Sequence, residues 1–517
     1  MNRKFLNVAL AAPVAVAAVG CAQTQAEAPK QPNVIVILAD DLGYGETGAY
    51  GATAIATPNL DKLANEGVRF TDGHATSATS TPSRYALLTG SYPWKNPRAA
   101  ILAGDAPLLI DVDQYTMPDM FKSKGYTTGA IGKWHLGMGA GDPNWNETVV
   151  PGAKEIGFDF SCLIAATNDR VPTVFVENGD VVGLDPNDPI EVNYKKNYEG
   201  QPTGKDNPEL CKMMWAHGHN NTIVNGIPRI GYMKGGEAAK WIDEDMADYF
   251  VGKVDTFLEE NQDKPFFLYY GLHQPHVPRT PHARFVGATT MGPRGDAIAE
   301  ADWCIGELIA NLEKRGLMEN TIIVFSSDNG PVLNDGYKDM SPELVGDHVP
   351  AGGLRGGKYS LFEAGTRVPF FVYWKDTIKP SVSNALVSQM DLLASFAEML
   401  GVELPTDQVI DSENYLDVFM GKSNEGRPNM VVEAGGRMAY RKGTYAMIPP
   451  YTGKERNETG NEVGIVKDFS LYDLTADFGQ TTDIADKNPE LLEEMKSEFI
   501  TITKGYYNPQ KKVQALK

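Results

Sequence analysis

Short apolar runs rich in β-branched and aromatic residues alternate with segments of helical periodicity from Gln31 onward. Such runs, bounded by polar turns, are typical of strands buried on both faces, and their alternation with helices indicates a parallel sheet. The sequence therefore predicts an α/β fold with a large mixed, mostly parallel sheet sandwiched by helices. The clearest strands are NVIVIL (33–38), PFFLYYGL (265–272), TIIVFSS (321–327) and VPFFVYW (368–374).

Two helices can be delimited from their end signals. Thr57 and Pro58 supply a cap and a first-turn proline, and Gly67 ends that helix. Apolar residues at positions 305, 308, 309 and 312 predict a second helix that ends at Gly316. Residues 137–221 are irregular and rich in Asn, Asp, Gly and Pro, as expected of a long insertion that forms binding loops.

The pattern changes near residue 405, where the apolar segments become shorter. MVVEAG, RMAYRKGTYAMI and FSLYDL predict antiparallel strands, and a helix is expected from Pro489 to about Lys504. We therefore predict a main domain over residues 31–405 and a small α+β subdomain with an antiparallel sheet over residues 406–517.

The first 21 residues have the features of a bacterial lipoprotein signal. Arg3 and Lys4 precede an apolar run at 5–19 that is short for a membrane span, and AVGC at 18–21 is similar to a lipobox. We expect a lipid on Cys21, a linker over residues 22–30, and a periplasmic, outer-membrane or cell-surface protein that touches the membrane only through this anchor. A plain exported protein cleaved nearby is the alternative.

Composition narrows the possible partners. The chain has 517 residues, of which 42% are hydrophobic, and a formal net charge of −20, so it is a globular protein poorly suited to binding nucleic acid. Besides Cys21, the cysteines are Cys162, Cys211 and Cys304, whose wide spacing matches neither a disulfide framework nor a zinc motif.

Polar clusters directly follow three of the predicted strands: Asp40-Asp41, the histidine loop at 273–276, and Asp328-Asn329. Ligands of open α/β sheets gather beyond the carboxyl ends of the strands, so these clusters are expected to share one pocket. Oxygen-only ligands suit Ca²⁺, with Mg²⁺ as the weaker candidate. Either pair alone indicates only a helix cap or a turn, but together they favour a metal site.

The stretch SATSTPSRYALLTG at 77–90 predicts a short helix that begins within a residue or two of Ser80. Pro82 is expected at its first position, and Gly90 ends it. The free amides and the positive end of the helix dipole then face any anion held there, with Arg84 one turn inside. The alternative is an ordinary capping serine and a surface arginine.

Basic side chains occur in three further loops. GKWHLG sets Lys133 and His135 two residues apart, on the same side of an extended segment; HQPHVP contains His276; and Lys358 lies in a glycine-rich turn. With a hard metal and a helix N-terminus, these groups can hold a tetrahedral oxyanion and expel an alcohol. Cleavage of a sulfate or phosphate ester is therefore the predicted reaction.

The motifs together resemble the formylglycine-dependent type I sulfatases of the alkaline phosphatase superfamily. The resemblance is carried, in order, by PNVIVILADDLGYGETGAYG, TPNLDKLANEGVRFTDGHATSATSTPSRYALLTGSYP, GYTTGAIGKWHLG, HQPHVP, NTIIVFSSDNG, LRGGKYSLFEAGTRVPF and FSLYDLTADFGQTTDIA. It covers nearly the whole mature chain and implies an alkaline phosphatase-like fold.

The resemblance also implies roles for individual residues. Ser80 opens a Ser-x-Pro-x-Arg motif and is expected to be oxidised to formylglycine. The implied calcium ligands are residue 80 with Asp40, Asp41, Asp328 and Asn329. The other implied roles are support of the aldehyde hydrate by Arg84 and His135, sulfate binding by Lys133 and Lys358, and protonation of the leaving oxygen by His276.

Serine rather than cysteine opens this motif, which by resemblance implies maturation by an anaerobic radical enzyme of bacteria. The side chain of an unmodified Ser80 would form a stable sulfate ester that is hard to clear, so the unmodified protein is expected to be nearly inactive.

The insertion supplies candidates for sugar recognition. Asn168, Asp169 and Arg170 are consecutive, and a carboxylate beside a guanidinium can clamp neighbouring hydroxyls, although a salt-bridged structural loop is the alternative. The Asp-Arg pair looks like that of bacterial sulfatases acting on 6-sulfated galactose or N-acetylgalactosamine of mucin O-glycans and glycosaminoglycans. Trp94, His217 and His219 are further candidates, with loop packing as their alternative.

Two other functions remain open at this point. One is a phosphomonoesterase or phosphodiesterase on the same scaffold, for which Asn329 beside Asp328 is a poor second-site zinc ligand. The other is a catalytically silent glycan-binding lipoprotein, which is favoured if residue 80 always stays serine.

Overall fold

The apolar runs identified above form the centre of the molecule in a computed structural model that describes residues 31–511. Every residue of the strands Asn33–Ala39, Phe266–Gly271 and Thr321–Ser327 is buried. Continuous burial of this kind requires cover on both faces of the sheet, and it explains why these strands are apolar throughout rather than alternating.

The described chain contains eighteen strands. In chain order they are β1 (Asn33–Ala39), β2 (Val68–His74), β3 (Thr127–Lys133), β4 (Phe160–Ile164), β5 (Phe175–Glu177), β6 (Asp180–Val181), β7 (Glu191–Asn193), β8 (Ile223–Val224), β9 (Ile227–Pro228), β10 (Tyr232–Lys234), β11 (Phe266–Gly271), β12 (Thr321–Ser327), β13 (Phe370–Trp374), β14 (Ser381–Ser388), β15 (Asn429–Ala434), β16 (Arg437–Lys442), β17 (Tyr445–Ile448) and β18 (Ser470–Asp473).

Nine α-helices lie between these strands within residues 31–511. They are α1 (Pro58–Glu66), α2 (Ser80–Thr89), α3 (Met117–Lys122), α4 (Met246–Asn261), α5 (Gly292–Lys314), α6 (Ser341–Leu344), α7 (Leu392–Leu400), α8 (Leu416–Phe419) and α9 (Pro489–Thr503). The predicted helices at 57–67 and before Gly316 are confirmed as α1 and α5. The C-terminal helix predicted from Pro489 is α9.

Ten strands form one sheet in the order β14-β2-β13-β12-β1-β11-β3-β4-β5-β6. The five central strands, β12 to β4, are parallel to one another, whereas β13, β5 and β6 pair antiparallel with their neighbours. In register, Ile37 of β1 lies between Phe325 of β12 and Tyr270 of β11. The parallel order brings the carboxyl ends of β12, β1, β11 and β3 to one edge.

Helices cover both faces of this sheet. One apolar core joins Val34, Val36 and Leu38 to helices α2, α3 and α7, and the other joins Ile35 and Ile37 to helices α1, α4 and α5. Alternate residues of β1 thus point into opposite cores, as the two-residue repeat of a strand requires. The predicted α/β fold with a mixed, mostly parallel sheet is confirmed.

A separate antiparallel sheet, β15-β16-β17-β18, lies in the region predicted as the C-terminal subdomain. Met495 and Phe499 of α9 pack against Met438 and Tyr440 of this sheet. Residues from Pro32 onward nevertheless group as one compact unit, so the predicted boundary at 405/406 stays a prediction.

No helix in the part of the chain that the structure describes is long and apolar enough to cross a membrane. The predicted lipobox and linker lie outside the described residues.

Candidate active site

Two strand ends bring an acidic cluster together at the carboxyl edge of the sheet. Asp40 and Asp41 follow β1, Asp328 and Asn329 follow β12, and all four are fully buried. The amide of Asn329 donates to Asp41 Oδ1 over 2.8 Å, and the backbone amide of Asp41 donates to Asp328 over 3.3 Å. Residues about 290 positions apart thus meet because β1 and β12 are neighbouring parallel strands.

The donor set of this cluster fits a hard cation. Asp40, Asp41 and His276 each place one potential ligand atom within 4.8 Å of the others. Among the described residues the side-chain oxygen of Asn329 has no hydrogen-bond partner although it is buried, a costly arrangement that a cation relieves. Carboxylate and amide oxygens are the ligands that Ca²⁺ and Mg²⁺ prefer.

Ser80 is the first residue of α2, as the sequence predicted, and its hydroxyl points at this cluster. The hydroxyl donates to Asp328, and Lys133 Nζ donates to it over 2.5 Å. The residue preceding the helix is Thr79, so the capping alternative for Ser80 is wrong. Pro82 is the third helical residue rather than the first, because the helix begins two positions earlier than that proline indicated.

Arg84 lies one turn into α2 and is fully buried, which contradicts the surface-charge alternative. Its guanidinium donates through Nε and Nη2 to one oxygen of Asp328, over 3.0 and 2.8 Å, and through Nη1 to the Tyr269 hydroxyl over 2.6 Å. Although burial acts in the opposite direction, Lys133 and Arg84 hold the pKa of Asp328 far below its ordinary value. These two cations therefore favour the ionised form of Asp328.

Lys133 is the last residue of β3 and joins the two acidic strand ends. Its Nζ lies 2.6 Å from Asp40 Oδ2 and 3.3 Å from Asp328 Oδ2. Burial raises the pKa of Asp40 to about 6 even though Lys133 favours its ionised form. Burial likewise lowers the pKa of Lys133 below its ordinary value. This pair has a substantial desolvation cost, which is typical of reactive sites.

Lys358, in the glycine-rich turn, is the second lysine at the cluster. Its Nζ bonds Asp41 Oδ2 over 2.9 Å and Asp335 Oδ2 over 2.8 Å. Although burial opposes it, the two carboxylates raise the pKa of Lys358 well above its ordinary value, and Asp335 contributes the most. Lys358 is therefore a fixed cation at the cluster.

His135 departs from the predicted extended segment. Strand β3 ends at Lys133, and His135 adopts a left-handed backbone with φ of 58°. The alternation of side chains along a strand therefore does not determine how Lys133 and His135 are oriented relative to each other. His135 Nε2 lies 3.0 Å from the Leu102 carbonyl, which can only accept, so Nε2 carries the proton. Burial, aided by Lys133, lowers the pKa of His135 well below its ordinary value. Its Nδ1 is thereby left as a neutral proton acceptor.

His276 has the opposite tautomer. Its Nδ1 lies 2.6 Å from the carbonyl of Val277 and must donate to it, which leaves Nε2 available 3.8 Å from Asp41 Oδ2. The site therefore holds two imidazoles of different orientation, one exposing Nδ1 and the other Nε2. That arrangement provides two separate proton-transfer groups, of which His276 donates from Nε2 when its ring is doubly protonated.

A cavity of about 650 Å³ opens above Ser80, with room for a sugar residue. Asp169, Arg170, His217 and His219 line it together with His135, His276 and Lys358. Arg170 Nη1 lies 3.0 Å from Asp169 Oδ1, and His219 Nε2 lies 2.8 Å from Asp169 Oδ2. Although burial acts the other way, Arg170 above all keeps the pKa of Asp169 well below its ordinary value.

Two of the predicted sugar-binding residues lie elsewhere. Asn168 is buried and donates its amide to the Pro278 carbonyl over 3.2 Å, so it anchors a loop rather than facing the cavity. Trp94 stacks on Tyr92 with ring centroids 5.1 Å apart and packs edge-on against Tyr506 near the C-terminal helix. The loop-packing alternative thus describes Trp94.

Sequence reasoning missed several residues of the cavity wall. Asp335, Tyr194, Tyr359 and Leu102 all line it, and Asp335 also binds Lys358. Asp335 follows Asp328 by seven positions in the same loop, and this proximity could have identified it as a candidate. The tyrosines and Leu102 lie in irregular loops, where no spacing indicates which side chains point inward.

Comparison with known proteins bears on this geometry. A model of the sulfatase family, described as Sulfatase, matches residues 32–402, well over half of the chain. This chain belongs to the sulfatase family. The sulfatase is accordingly an enzyme that hydrolyses sulfuric esters. The similar proteins described next show that these are sulfate esters of carbohydrates.

A relative from Bacteroides thetaiotaomicron, an N-acetylgalactosamine-6-O-sulfatase, is 48% identical over 90% of this sulfatase and 92% of the relative. Human arylsulfatase A is 30% identical over 95% of this chain and 89% of its own. A solved B. thetaiotaomicron sulfatase from a glycosaminoglycan-metabolism locus is 47% identical, with a TM-score of 0.91 over 92% of this chain and all of that one.

Proposed function

We propose that the sulfatase removes sulfate from O6 of galactose-type sugars, N-acetylgalactosamine or galactose, in mucin O-glycans or glycosaminoglycans. The observation that carries this proposal is the Asp169, Arg170 and His219 cluster on the wall of the cavity above Ser80, in a chain 48% identical to an N-acetylgalactosamine-6-O-sulfatase. Three side chains locked to one another form a rigid clamp for neighbouring hydroxyls, since little conformational freedom remains to be lost on binding.

We propose that the reacting group is formylglycine made from Ser80 by an anaerobic radical maturase. An aldehyde at this position supplies a hydrated nucleophile whose product can be cleared without hydrolysis of a stable ester. The surrounding residues have complementary tasks. Lys133 orients residue 80 directly and Arg84 does so through Asp328, while Lys133 and Lys358 attract the sulfate oxygens. His135 Nδ1 accepts a proton, and His276, as a doubly protonated imidazolium, donates one from Nε2 to the leaving sugar oxygen.

We propose that Ca²⁺ occupies the acidic cluster. Asp40, Asp41, Asp328 and Asn329, with residue 80, would hold it through oxygen atoms only. Such a set suits Ca²⁺ better than Mg²⁺, because Mg²⁺ requires a strict octahedron and retains its waters. When bound, the cation supplies charge that stabilises anionic oxygens at the site.

We also propose that the protein is an exported lipoprotein, periplasmic or anchored at the outer membrane or cell surface. The support for this is the signal-like segment ending at Cys21. A sulfated glycan polymer is an extracellular substrate, which is consistent with export.

The proposed chemistry is tested on protein from the native host. Mass spectrometry of the tryptic peptide containing residue 80 is expected to show a loss of about two mass units, since oxidation of the alcohol removes two hydrogens. An unmodified peptide contradicts the mechanism and supports the silent binding protein instead. Detection of two metals per chain together with phosphate-ester turnover supports the phosphatase alternative.

The proposed sugar is tested by sulfate release from 6-sulfated N-acetylgalactosamine and 6-sulfated N-acetylglucosamine. The two substrates differ only in the configuration of one ring hydroxyl, so the comparison isolates recognition of that group. We expect a preference of at least about tenfold in kcat/KM for the galactose-type sugar, the effect of one well-made hydrogen-bond set. Equal rates contradict the assignment, and a Ser80→Ala variant serves as the inactive control.

A further inference from the structure

The segment just before Ser80 is paired with the C-terminal sheet. The Ala78 amide donates to the Glu433 carbonyl over 2.7 Å, and the Glu433 amide donates to the Thr76 carbonyl over 3.1 Å. Ser77 and Glu433 are opposite each other in a parallel bridge. Strand β15 therefore extends its pairing onto the chain that enters α2, three residues before the reacting position.

The Glu433 side chain adds a second connection to the same segment. Its carboxylate accepts one hydrogen bond from the Ser77 hydroxyl and another from the Gly436 amide. Gly435 and Gly436 form the β15–β16 turn with φ of 58° and 79°, which aims the Gly436 amide back at Glu433. Glu433 is only 2% exposed, so both contacts are made away from water.

Ser77 passes this constraint to the start of α2. Its hydroxyl accepts from the Thr79 amide over 3.1 Å, and Thr79 immediately precedes Ser80. The Ser83 hydroxyl donates to the Ser77 carbonyl over 2.8 Å and accepts from the Ser77 amide over 3.1 Å. The first turn of α2 is thus tied to Ser77 on both sides of residue 80.

The same sheet also holds the chain next to Lys358. The Tyr359 amide donates to the Ala78 carbonyl over 2.9 Å, and Arg437 Nη2 of β16 donates to the Tyr359 carbonyl over 3.0 Å. The segment that leads to residue 80 and the segment next to Lys358 are therefore both held by the C-terminal sheet.

We propose that Glu433 is a positioning residue for the sulfatase reaction, which sets the orientation of residue 80 through Ser77 and Thr79. A buried carboxylate is costly, and this one is bonded by two neutral donors, a hydroxyl and a backbone amide. Burial raises its pKa above the ordinary value. A carboxylate offers two acceptor oxygens here, one for the Ser77 hydroxyl and one for the Gly436 amide, whereas glutamine offers only one. The C-terminal sheet is accordingly part of the catalytic apparatus.

The inference rests on the proposed chemistry at residue 80, so its test has an arm that does not depend on activity. Hydrogen-exchange mass spectrometry of holoenzyme is expected to show faster exchange of the amides at 77–84 in Ser77→Ala and Glu433→Gln than in the wild type. Glu498→Gln is the matched control, since Glu498 also contacts the C-terminal sheet but bonds Lys442 and Tyr440. Unchanged exchange at 77–84 in both variants overturns the proposal.

The activity arm uses samples matched for formylglycine content by mass spectrometry. We expect kcat to fall by about tenfold or more in Glu433→Gln and in Ser77→Ala, with KM changed by less than about threefold, because misplacement of the reacting atom acts on the transition state. The double variant is expected to lose no more than the larger single loss, since both residues act through one contact.

Two outcomes contradict the proposal in this arm. One is a kcat loss in Glu433→Gln or Ser77→Ala that is no larger than the loss in Glu498→Gln when the variants are equally destabilised. That result would indicate a merely structural role. The other is additive losses in the double variant. If Glu433→Gln does not fold, Ser77→Ala alone carries the test. Wild-type enzyme that contains formylglycine but releases no sulfate contradicts the proposed function instead, and leaves the exchange arm to decide the positioning role.

Discussion

Buried charges at the active site are balanced within a small group of residues. Arg84 and Lys133 contact Asp328, Lys133 also contacts Asp40, and Lys358 contacts Asp41 and Asp335. Removing one member of a buried pair leaves its partner uncompensated in a region of low dielectric. Single substitutions here are therefore expected to affect both geometry and stability.

The contact between Asp335 and Lys358 allows a first prediction. Asp335→Asn removes the carboxylate that contributes most to holding Lys358, so this lysine loses its fixed position. We expect kcat/KM on the 6-sulfated sugar to fall by about tenfold or more, measured by sulfate release. Asp347→Asn, on an exposed loop nearby in sequence, is the control. An Asp335→Asn enzyme as active as that control shows that Asp41 alone positions Lys358.

Arg170 allows a second prediction at this scale. Its Nη1 donates to both Thr167 and Asp169, and the planar guanidinium carries further N–H donors in a fixed arrangement that the ammonium of lysine does not reproduce. We expect Arg170→Lys to raise KM by about tenfold with a smaller change in kcat, because sugar binding is lost equally in ground and transition states. Steady-state kinetics measures both constants, with Arg456→Lys as the control, since Arg456 is exposed and bonds Glu462. A fall in kcat alone argues against a sugar-binding role.

At the scale of elements, helix α5 supports the loop that carries His276. Glu300 of α5 is buried and accepts from the His282 amide over 2.8 Å and from the Gln274 side chain over 3.0 Å. Burial raises the pKa of Glu300 to about 7 from its ordinary value near 4.5. Gln274 of the histidine loop and His282, farther along the chain, are thus tied to one titrating carboxyl group.

The raised pKa of Glu300 has a definite effect on stability. The folded protein binds this proton more tightly than the unfolded chain does, so the group disfavours folding increasingly as pH rises from about 4.5 to about 7. Glu300→Gln removes this penalty, which amounts to at most about 3 kcal/mol. We expect its free energy of unfolding relative to wild type to increase between pH 5 and pH 8 in denaturant titrations.

The surface variant Glu313→Gln on the same helix is the control for that measurement and is expected to show no such trend. Glu300→Gln itself keeps the size of the side chain and leaves its amide a partner. The side-chain oxygen of Gln274 has no hydrogen-bond partner within residues 31–511 and can accept from a glutamine at 300. A stability difference that is the same at pH 5 and pH 8 contradicts the assignment of a raised pKa.

Element boundaries show what local sequence signals can predict. The ends of α1 were readable because Pro58 and Gly67 act on their own backbone. The start of α2 was predicted within two residues, whereas the position of its proline and the conformation of His135 were not, because loop contacts decide them. The Leu102 carbonyl, 33 residues away in sequence, holds His135.

At the scale of the whole molecule, the acidic cluster is expected to couple cation binding to stability. Asp40, Asp41 and Asp328 are buried side by side, so a bound cation stabilises the folded state according to its affinity and concentration. We expect Ca²⁺ added to chelator-treated protein to raise the midpoint of thermal unfolding by at least about 2 °C. The same concentration of Mg²⁺ is expected to raise it less.

Scanning calorimetry measures this shift, and Asn329→Ala is the variant that tests its origin. That substitution removes one oxygen ligand without adding charge, so the Ca²⁺-dependent rise is expected to shrink. An undiminished rise in this variant places the cation elsewhere.

Periodicity and end signals are local properties of the chain, so the sequence by itself determined the buried strands, their helices, the class of sheet and the strand ends that carry Asp40 and Asp328. Only the tertiary structure decided which side chains meet: Asp335 with Lys358, His219 with Asp169, and Glu433 with Ser77, 356 residues apart. Such contacts depend on the packing of loops and of the second sheet, and no spacing along the chain encodes a distance across it.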